Sequence, residues 1–273
     1  MNKIKEKDII FIINPNSGRK DYSKIKNEIE ELVKDHKIVI SNDKIEFEKI
    51  FKKYVDNYKV FVVIGGDGTV NSAAQVIYKT NDKILAIYPT GSGNGFAREL
   101  GFKKKLVALI EDIKKGDVQN IDVLKINEQE CINVSGLGFD AFVAHDFIKR
   151  KKRGLISYVF SVIKSVFLFK PFYINIINDE FRINEKIQML SIANSREFGN
   201  GAYIAPNAIP NDGMYDMILV KPFPVYYYPV FVIRLMTATL KESKYVMYLR
   251  SKSETLIRSN FDKFHISEGN SFN

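Results

Sequence analysis

Short apolar runs alternate with segments of helical periodicity over the first 115 residues. Residues 61–64 form an uninterrupted run of apolar, mostly β-branched side chains, the pattern of a strand buried on both faces of a parallel sheet. Other strands are predicted at residues 8–13, 37–40 and 84–88, and helices at residues 21–36, 45–57, 70–78, 96–100 and 103–115. This alternation predicts an α/β domain built on a parallel sheet.

The pattern changes after residue 120. Short apolar runs separated by turn residues follow one another at residues 121–126, 131–134, 172–177, 187–193 and 215–220. Such a series predicts antiparallel β structure, so we place a domain boundary near residues 117–122. The predicted domains are an α/β domain at residues 1–120 and a β-rich domain at residues 121–273.

The apolar run at residues 61–64 leads into a turn that contains Gly65, Gly66, Asp67 and Gly68. Glycines let the backbone come close to a ligand, and the amides at a helix start carry partial positive charge, so the turn can hold a phosphate. For a glycine pair alone, a tight turn without a ligand is the better interpretation. Asp67, expected in a solvent-facing loop, would repel a phosphate unless a cation or a ribose lay between them, which favours a nucleotide with Mg²⁺.

A second glycine loop, residues 89–95, follows the predicted strand at residues 84–88. Both loops leave parallel strands at the same edge of the sheet, where ligands bind in open α/β sheets. The chain contains no Gly-x-x-x-x-Gly-Lys-Ser/Thr, and neither loop fits Gly-x-Gly-x-x-Gly. These absences disfavour a P-loop NTPase and an ordinary dinucleotide-binding domain.

The chain of 273 residues has 41 Lys and Arg against 32 Asp and Glu, a net charge of +9. This charge suits a partner that bears phosphate, whether a nucleotide, a nucleic acid or an anionic membrane. The single cysteine, Cys131, rules out an intramolecular disulfide and is consistent with a reducing cytoplasm. Residues 1–8 lack the apolar core of a signal peptide, so export is not expected.

Three motifs occur in a specific order. They are Asn-Pro-Asn-Ser-Gly at residues 14–18, Gly-Gly-Asp-Gly-Thr at residues 65–69 followed by Asn71, and Pro-Thr-Gly-Ser-Gly-Asn-Gly-Phe-Ala at residues 89–97. Together they resemble the diacylglycerol kinase and sphingosine kinase catalytic family, and the similarity continues through residues 136–140 and 207–216. The resemblance implies an α/β nucleotide-binding domain, a C-terminal antiparallel β-sandwich and an active site in the cleft between them. It also implies ATP- and Mg²⁺-dependent transfer of the γ-phosphate to the hydroxyl of diacylglycerol, a sphingoid or a related lipid.

The resemblance assigns most nucleotide contacts to the three motifs. The implied residues are Asn14, Ser17, Gly18, Ser41, Gly65, Gly66, Asp67, Gly68, Thr69, Asn71, Gly91, Ser92, Gly93 and Asn94. For Ser41, the cap of the following helix is an equally good interpretation. Asp122 is implied to join Asp67 in the acidic network around the metal, and the alternative is a solvated carboxylate at a strand edge.

The segment at residues 211–216 has two carboxylates, Asp212 and Asp216, around a glycine turn, which is also compatible with a simple hairpin. In bacterial members of the resembled family the corresponding loop holds a structural Mg²⁺. Carried over, Asp212 supplies the side chain and Ile209 and Met214 supply backbone oxygen, with water completing the shell that Mg²⁺ prefers. Asp216 is the weaker candidate.

The chain departs from the family pattern at two places. Family members usually place the catalytic base in a C-terminal Asp-Gly-Glu, which this chain lacks. An alignment with one extra residue makes Glu268 the base, an ungapped alignment puts Ser267 there, and His265 is a further proton acceptor. We expect the C-terminal segment to return to the cleft. Gly95 stands where many bacterial relatives carry Asp, and this form of the loop looks like the sphingosine kinase branch, so the acceptor lipid is left open. Because the terminal carboxylate motif is degraded, a nucleotide- or lipid-binding protein with weak activity is an alternative, and an NAD kinase, which shares Gly-Gly-Asp-Gly-Thr, is a less favoured one.

Residues 149–153 are five consecutive cations, and the apolar stretch at residues 155–169 is shorter than the roughly 20 residues that span a bilayer. A contact with anionic lipid and a solvated helix face are equally compatible with this pattern, and residues 222–228 are similarly ambiguous. The expected partners are ATP and a lipid substrate at an anionic membrane surface, without nucleic acid, and a homodimer is left open. The expected location is the cytoplasm, at the inner face of the membrane.

Overall fold

The computed structural model describes residues 4–18, 22–80, 82–148, 162, 164–259 and 263–268. The basic run at residues 149–153 therefore lies outside the described residues. The N-terminal part follows the predicted alternation of strands and helices. Its elements are β1 (Ile9–Ile13), α1 (Tyr22–Leu32), β2 (Lys37–Ile40), α2 (Lys44–Tyr54), β3 (Val60–Gly65), α3 (Asp67–Ile77), β4 (Ile84–Pro89), α4 (Gly95–Glu99) and α5 (Leu106–Lys115).

The four N-terminal strands form one parallel sheet in the order β2-β1-β3-β4. Every residue of β1 and β3 is buried, because helices cover both faces of the sheet. Phe11 and Val62 pack with α1 and α5 on one face, while Ile10 and Phe61 pack with α2 and α3 on the other. The predicted parallel α/β domain is confirmed.

The C-terminal part is built mainly from antiparallel strands. Its elements are β5 (Leu124–Ile126), β6 (Gln129–Cys131), β7 (Val134–Gly138), α6 (Phe139–Ile148), β8 (Phe172–Ile177), β9 (Arg182–Ile187), β10 (Met189–Ala193), β11 (Tyr215–Val220), α7 (Tyr228–Met236), β12 (Val246–Ser251), β13 (Thr255–Ser259) and β14 (Lys263–Glu268). Sheet order is β12-β11-β10-β7 in one sheet and β6-β5-β14-β13-β8-β9 in the other. Ile174 and Ile257 of the second sheet pack against Leu190 and Met217 of the first, so the antiparallel β prediction is confirmed.

Several predicted boundaries differ from the structure. The predicted helix at residues 21–36 ends at Leu32, and α5 begins at Leu106 rather than at residue 103. The strand predicted at residues 121–126 begins only at Leu124, because the amide of Asp122 instead donates to the carbonyl of Pro210 (2.8 Å). Helix α6 was not predicted; it begins directly after Gly138, which adopts a positive φ of 107°.

Candidate nucleotide and phosphoryl-transfer site

Three loops meet at the carboxyl ends of β1, β3 and β4. Asn14 Nδ2 donates to Thr69 Oγ1 (2.9 Å), which joins the first loop to the start of α3. The amide of Thr90 donates to the carbonyl of Gly65 (2.9 Å), and Thr90 Oγ1 donates to Ser17 Oγ (3.2 Å). The structure therefore brings the three sequence motifs together at one edge of the sheet.

The glycines of these loops have different roles. A Cβ on Gly91 would lie 2.6 Å from the Cα of Gly66, and a Cβ on Gly18 would lie 2.0 Å from the carbonyl oxygen of Thr90. These glycines are required because one loop backbone touches another. A Cβ on Gly68, in contrast, would meet nothing within 4 Å. Packing within the protein therefore does not explain Gly68, and open space remains beside the first turn of α3.

A cavity of about 270 Å³ lies at this edge of the sheet. Its lining residues are Asn14, Ser41, Asp43, Lys44, Phe47, Gly68, Thr69 and Ser72. Four of these are predicted nucleotide contacts, while Lys44, whose Nζ donates to Gln75 Oε1 (2.6 Å), was missed. A larger cavity of about 540 Å³ lies beside α5, but none of the predicted nucleotide contacts lines it.

Ser41 is buried, and its hydroxyl donates to the carbonyl of Asp43 (3.0 Å). The cap of α2 is Asp43 itself, whose side chain accepts from the amide of Glu46 (2.9 Å). The helix-cap interpretation of Ser41 is therefore wrong. Its place in the cavity wall is compatible with the nucleotide contact that the resemblance implies.

Asp67 is the first residue of α3 and is half-buried, so the expectation of a solvent-facing loop is wrong. Its Oδ1 accepts from the amide of Phe96 (3.3 Å) in α4, and a Cβ on Gly93 would lie 2.7 Å from its Oδ2. Burial raises the pKa of Asp67, against the lowering effect of the nearby backbone amides of residues 94–96. The carboxylate thus links the two glycine loops, and Asp67 is not among the residues that line the cavity.

Two asparagines at the site have side-chain oxygens without a partner among the described residues. Asn94 adopts a left-handed conformation (φ 53°), and its Nδ2 donates to the carbonyl of Gly91 (2.6 Å). Its Oδ1 and the Oδ1 of Asn71 are buried and accept no hydrogen bond there. Buried polar atoms normally have a hydrogen-bond partner, so these two unpaired oxygens keep Asn71 and Asn94 as candidates for a ligand contact. Ser92, another predicted contact, is exposed.

Two reciprocal ion pairs join the nucleotide loops to the β-rich domain. Arg98 Nε and Nη2 donate to the two oxygens of Glu197 (2.9 and 3.0 Å), and Arg98 Nη1 donates to the carbonyl of Gly93 (2.7 Å). Arg196 Nε donates to both oxygens of Glu99 (2.9 Å). These residues were missed; the only sequence signal is that both arginines are followed by glutamate, some 98 residues apart.

Gly95 lies against the same segment of the β-rich domain. A Cβ at this position would lie 3.0 Å from the backbone of Gly199, which has a positive φ of 127°. An aspartate would fit here only if Gly199 moved by a few tenths of an ångström. Glycine at this position is thus coupled to a close contact between the domains.

Asp122 is buried, so the alternative of a solvated carboxylate is wrong. Its Oδ2 accepts from the amide of Gly213 (2.7 Å), which ties it to the loop that contains Asp212. Burial raises the pKa of Asp122, and the neighbouring charge of Asp212 raises it further. Within the described part of the chain, Asp67 and Asp122 share no hydrogen bond.

The loop implied to bind Mg²⁺ contains an arginine partner. Asp212 Oδ1 accepts from the amide of Met214 (3.0 Å), and Asp212 Oδ2 forms an ion pair with Arg250. Arg250 Nε also lies 3.9 Å from Asp216 Oδ1, and burial raises the pKa of Asp216 to about 6. Among the described residues, no group of three or more His, Cys, Asp or Glu is placed to hold a metal ion.

Arg250 therefore supplies the positive charge at this loop. A cation bound by Asp212 would have to displace that guanidinium or share the carboxylate with it, so the side chains described here do not fit the implied Mg²⁺. The set of Asp212, Ile209 and Met214 remains a prediction, with Ile209 46% exposed.

Strand β14 lies between β5 and β13. Glu268 pairs with Leu124, two residues after Asp122, so the backbone of the C-terminal segment returns to the start of the β-rich domain. Ser267 pairs with Lys125, and His265 pairs with Leu256. Gly269 and Asn270 lie outside the described residues. The role of Glu268 as base remains a prediction.

Two family models match consecutive parts of the chain. The diacylglycerol kinase catalytic domain matches residues 8–126, and the YegS C-terminal NAD kinase beta sandwich-like domain matches residues 133–252. The fold, the three glycine-containing motifs and the two matches agree on a diacylglycerol kinase catalytic domain at residues 8–126, followed by a YegS-type β-sandwich-like domain at residues 133–252.

The chain is also similar in sequence to two relatives and in fold to a solved structure. The chain is 29% identical over 218 residues to "Probable lipid kinase YegS-like" of Shewanella frigidimarina, covering 78% of this chain and 70% of that protein. It is 28% identical over 176 residues to "Lipid kinase YegS" of Escherichia coli strain K12, covering 60% and 59%. A crystal structure of a diacylglycerol kinase from Bacillus anthracis has the same fold, with a TM-score of 0.75 at 19% identity over 96% of this chain and 93% of that one.

Proposed function

We propose that the protein is an ATP- and Mg²⁺-dependent lipid kinase that transfers the γ-phosphate to the hydroxyl of diacylglycerol, a sphingoid or a related lipid. The observation that carries the proposal is the cavity bounded by Asn14, Ser41, Gly68 and Thr69 at the first turn of α3, where a Cβ on Gly68 would meet nothing within 4 Å. Its open space beside Gly68 and its polar walls fit a nucleotide phosphate. The match to the diacylglycerol kinase catalytic domain supports phosphoryl transfer.

In this proposal the phosphates are bound and oriented by three segments: the first loop, the start of α3 and the loop at residues 90–95. The unpaired side-chain oxygens of Asn71 and Asn94 would accept hydrogen bonds from donor groups of the nucleotide or from water bound to it. Mg²⁺ bound to the nucleotide would offset charge on the β- and γ-phosphates. Glu268, whose backbone lies beside β5, would accept the proton of the lipid hydroxyl, and Asp67 and Asp122 would complete the acidic surroundings.

Incubation of the protein with labelled ATP and either a total lipid extract or NAD, followed by chromatography of the products, tests the proposal. Labelled lipid is the expected product. Labelled NADP would establish an NAD kinase instead. Glu268→Gln should reduce lipid labelling about 10²-fold or more while ATP affinity stays within a few-fold. Wild-type turnover in this variant would show that the base is elsewhere.

A binding protein of weak activity is the second candidate. Glycine at residue 95 and the missing C-terminal Asp-Gly-Glu favour it, because the first removes a carboxylate that the resemblance implies around the metal and the second removes the usual base. Binding of ATP without phosphorylation of any lipid in the extract would support this candidate.

A further inference from the structure

The helix α7 and the 3-10 turn before it (Val225–Tyr227) expose an apolar surface. We call it the α7 apolar face; its members are Val225, Tyr226, Val230, Val232, Ile233 and Met236. Tyr226 is 78% exposed and Ile233 is 60% exposed. Isolated exposed apolar residues are ordinary, but six within a twelve-residue segment form a patch that needs an explanation.

The exposed apolar side chains of α7 lie on one side of the helix. At about 3.6 residues per turn, residues 230, 233 and 236 follow one another along one surface with residue 232 beside them, and residues 225 and 226 lie in the 3-10 turn that leads into the helix. The opposite side, which includes Phe231, packs on the sheet that contains β10 and β11. Helix α7 is therefore apolar on its buried side and on its exposed side. In a globular domain the exposed side of such a helix is normally polar.

The charges around the α7 apolar face indicate what covers it. Residues 222–241 contain two cations, Arg234 and Lys241, and no Asp or Glu. Tyrosine side chains such as Tyr226 suit the boundary between hydrocarbon and water. A short helix with an apolar face, flanking cations and no acids fits the surface of an anionic bilayer. Among the described residues, no helix is both long and apolar enough to cross a bilayer.

We propose that the α7 apolar face docks the protein on an anionic membrane surface. This inference deepens the proposed function, because it identifies the surface through which the site would reach a lipid acceptor. Helix α7 is tied to the contact between the domains: the amide of Tyr203 donates to the carbonyl of Leu235 (2.9 Å), and the Arg196 guanidinium lies 6.0 Å from the centre of the Tyr203 ring. Arg196 binds Glu99 at the end of α4. Docking through α7 would therefore place the contact between Arg196 and Glu99, at the domain boundary, near the lipid.

Co-sedimentation with vesicles tests the proposal. Wild-type protein is expected to bind vesicles of phosphatidylcholine with phosphatidylglycerol more tightly than vesicles of phosphatidylcholine alone. The double variant Val230→Glu, Ile233→Glu should bind the anionic vesicles at least about tenfold more weakly, because two carboxylates replace inserted apolar groups. Ile45→Glu is the matched control, since Ile45 is 67% exposed on α2 in the other domain and should keep wild-type binding.

Equal vesicle binding by wild type and the double variant would overturn the proposal. So would a change from dimer to monomer in the double variant without loss of vesicle binding, because the face would then bind a second copy. Phosphorylation assays separate this inference from the proposed function. The double variant should phosphorylate a short-chain diacylglycerol, dissolved below its aggregation concentration, at the wild-type rate and lose activity on vesicle-embedded diacylglycerol. If wild type phosphorylates neither of these and no lipid in a total extract, the kinase proposal fails, and the vesicle result still decides the docking surface.

Discussion

The guanidinium of Arg98 binds both carboxylate oxygens of Glu197, 99 residues along the chain. Glu197 is 1% exposed and also accepts from the amide of Gly201 (2.9 Å), so its charge is buried but fully paired. Arg98 at the same time holds the carbonyl of Gly93 in the second glycine loop. The pair therefore connects the conformation of the predicted phosphate loop to the β-rich domain.

Glu197→Gln should destabilise the protein and disturb the loop. The amide replaces a charge-assisted bidentate contact with a single neutral one, so we expect a loss of about 1 to 2 kcal/mol in the free energy of unfolding, measured by urea denaturation. Without the Glu197 carboxylate, Arg98 is no longer held in position against the carbonyl of Gly93. The KM for ATP should therefore rise more than kcat falls. Lys26→Gln, which breaks the exposed Lys26–Glu30 pair, is the control and should cost less than about 0.5 kcal/mol. Similar losses in the two variants would contradict this role.

Gly68→Ala and Gly91→Ala should have opposite effects. Gly68 has open space around it and lies in the first turn of α3, so alanine should keep or raise the unfolding temperature. The new methyl group would occupy the space proposed for phosphate, and ATP affinity should fall about tenfold or more. The Cβ of alanine at residue 91 would instead clash with the Cα of Gly66 and so lower the unfolding temperature. If calorimetry shows unchanged ATP binding in Gly68→Ala, no phosphate binds in the space beside Gly68.

Asp67→Asn should separate activity from stability. The pKa of Asp67 is raised by burial, so the ionised form is disfavoured in the folded state, and a neutral amide can still accept from Phe96. We expect an unchanged or higher unfolding temperature with turnover reduced 10²-fold or more. Asp67→Ala, which also removes the acceptor, should be less stable than Asp67→Asn. Turnover within a few-fold of wild type would exclude Asp67 from the site.

The sequence was sufficient for the elements whose signal is local. Continuous apolar runs predicted β1, β3 and β4, and the strand-to-helix turns at Gly65 and Gly91 predicted the edge where the loops meet. The position of Asp67 was wrong because its burial comes from α4, a later element that packs onto the first turn of α3. The roles of the glycines could not be predicted from the sequence either. Only the structure distinguishes Gly91, where a Cβ would meet Gly66, from Gly68, where a Cβ would meet nothing within 4 Å.

Contacts between the domains could not be predicted. Arg98 and Glu197 are both ordinary charged residues in sequence, and nothing local distinguishes them from a solvated pair. The same holds for Arg250, which lies opposite Asp216 only because β11 and β12 pair in this register. The exposed apolar side of α7 could not be predicted either, because a helix with apolar residues all around is expected to be buried. Only the structure shows that one side of α7 is exposed.

Asp140 should make stability depend on pH. Its Oδ1 is buried without a partner among the described residues, and burial raises its pKa from 3.8 to about 6. As pH rises from 4 to 6, the unfolded chain ionises this group before the folded chain does, so stability is lost over that window, by at most about 3 kcal/mol. Asp140→Asn should therefore be more stable relative to wild type at pH 7.5 than at pH 4.5, measured by urea denaturation. Asp179→Asn, at an exposed turn, is the control. An equal difference at both pH values for Asp140→Asn would contradict the assignment.

A divalent metal ion and Arg250 are alternative partners for the carboxylate of Asp212. Arg250 forms ion pairs with Asp212 and lies 3.9 Å from Asp216, so it already offsets the charge that a divalent cation would offset. We expect the unfolding temperature of the wild type to be the same within error in EDTA and in excess Mg²⁺.

Arg250→Met removes the charge but keeps much of the side-chain volume, and it leaves Asp212 and Asp216 without their cation. This variant should be less stable than wild type in EDTA, because two neighbouring carboxylates then repel each other. Mg²⁺ should restore part of the lost stability, since a ligand that binds only the folded state shifts the equilibrium by mass action. Lys252→Met, a nearby exposed lysine, is the control and should respond to neither reagent. A wild-type unfolding temperature that falls on addition of EDTA and recovers with Mg²⁺ would instead establish the metal site implied for Asp212, Ile209 and Met214.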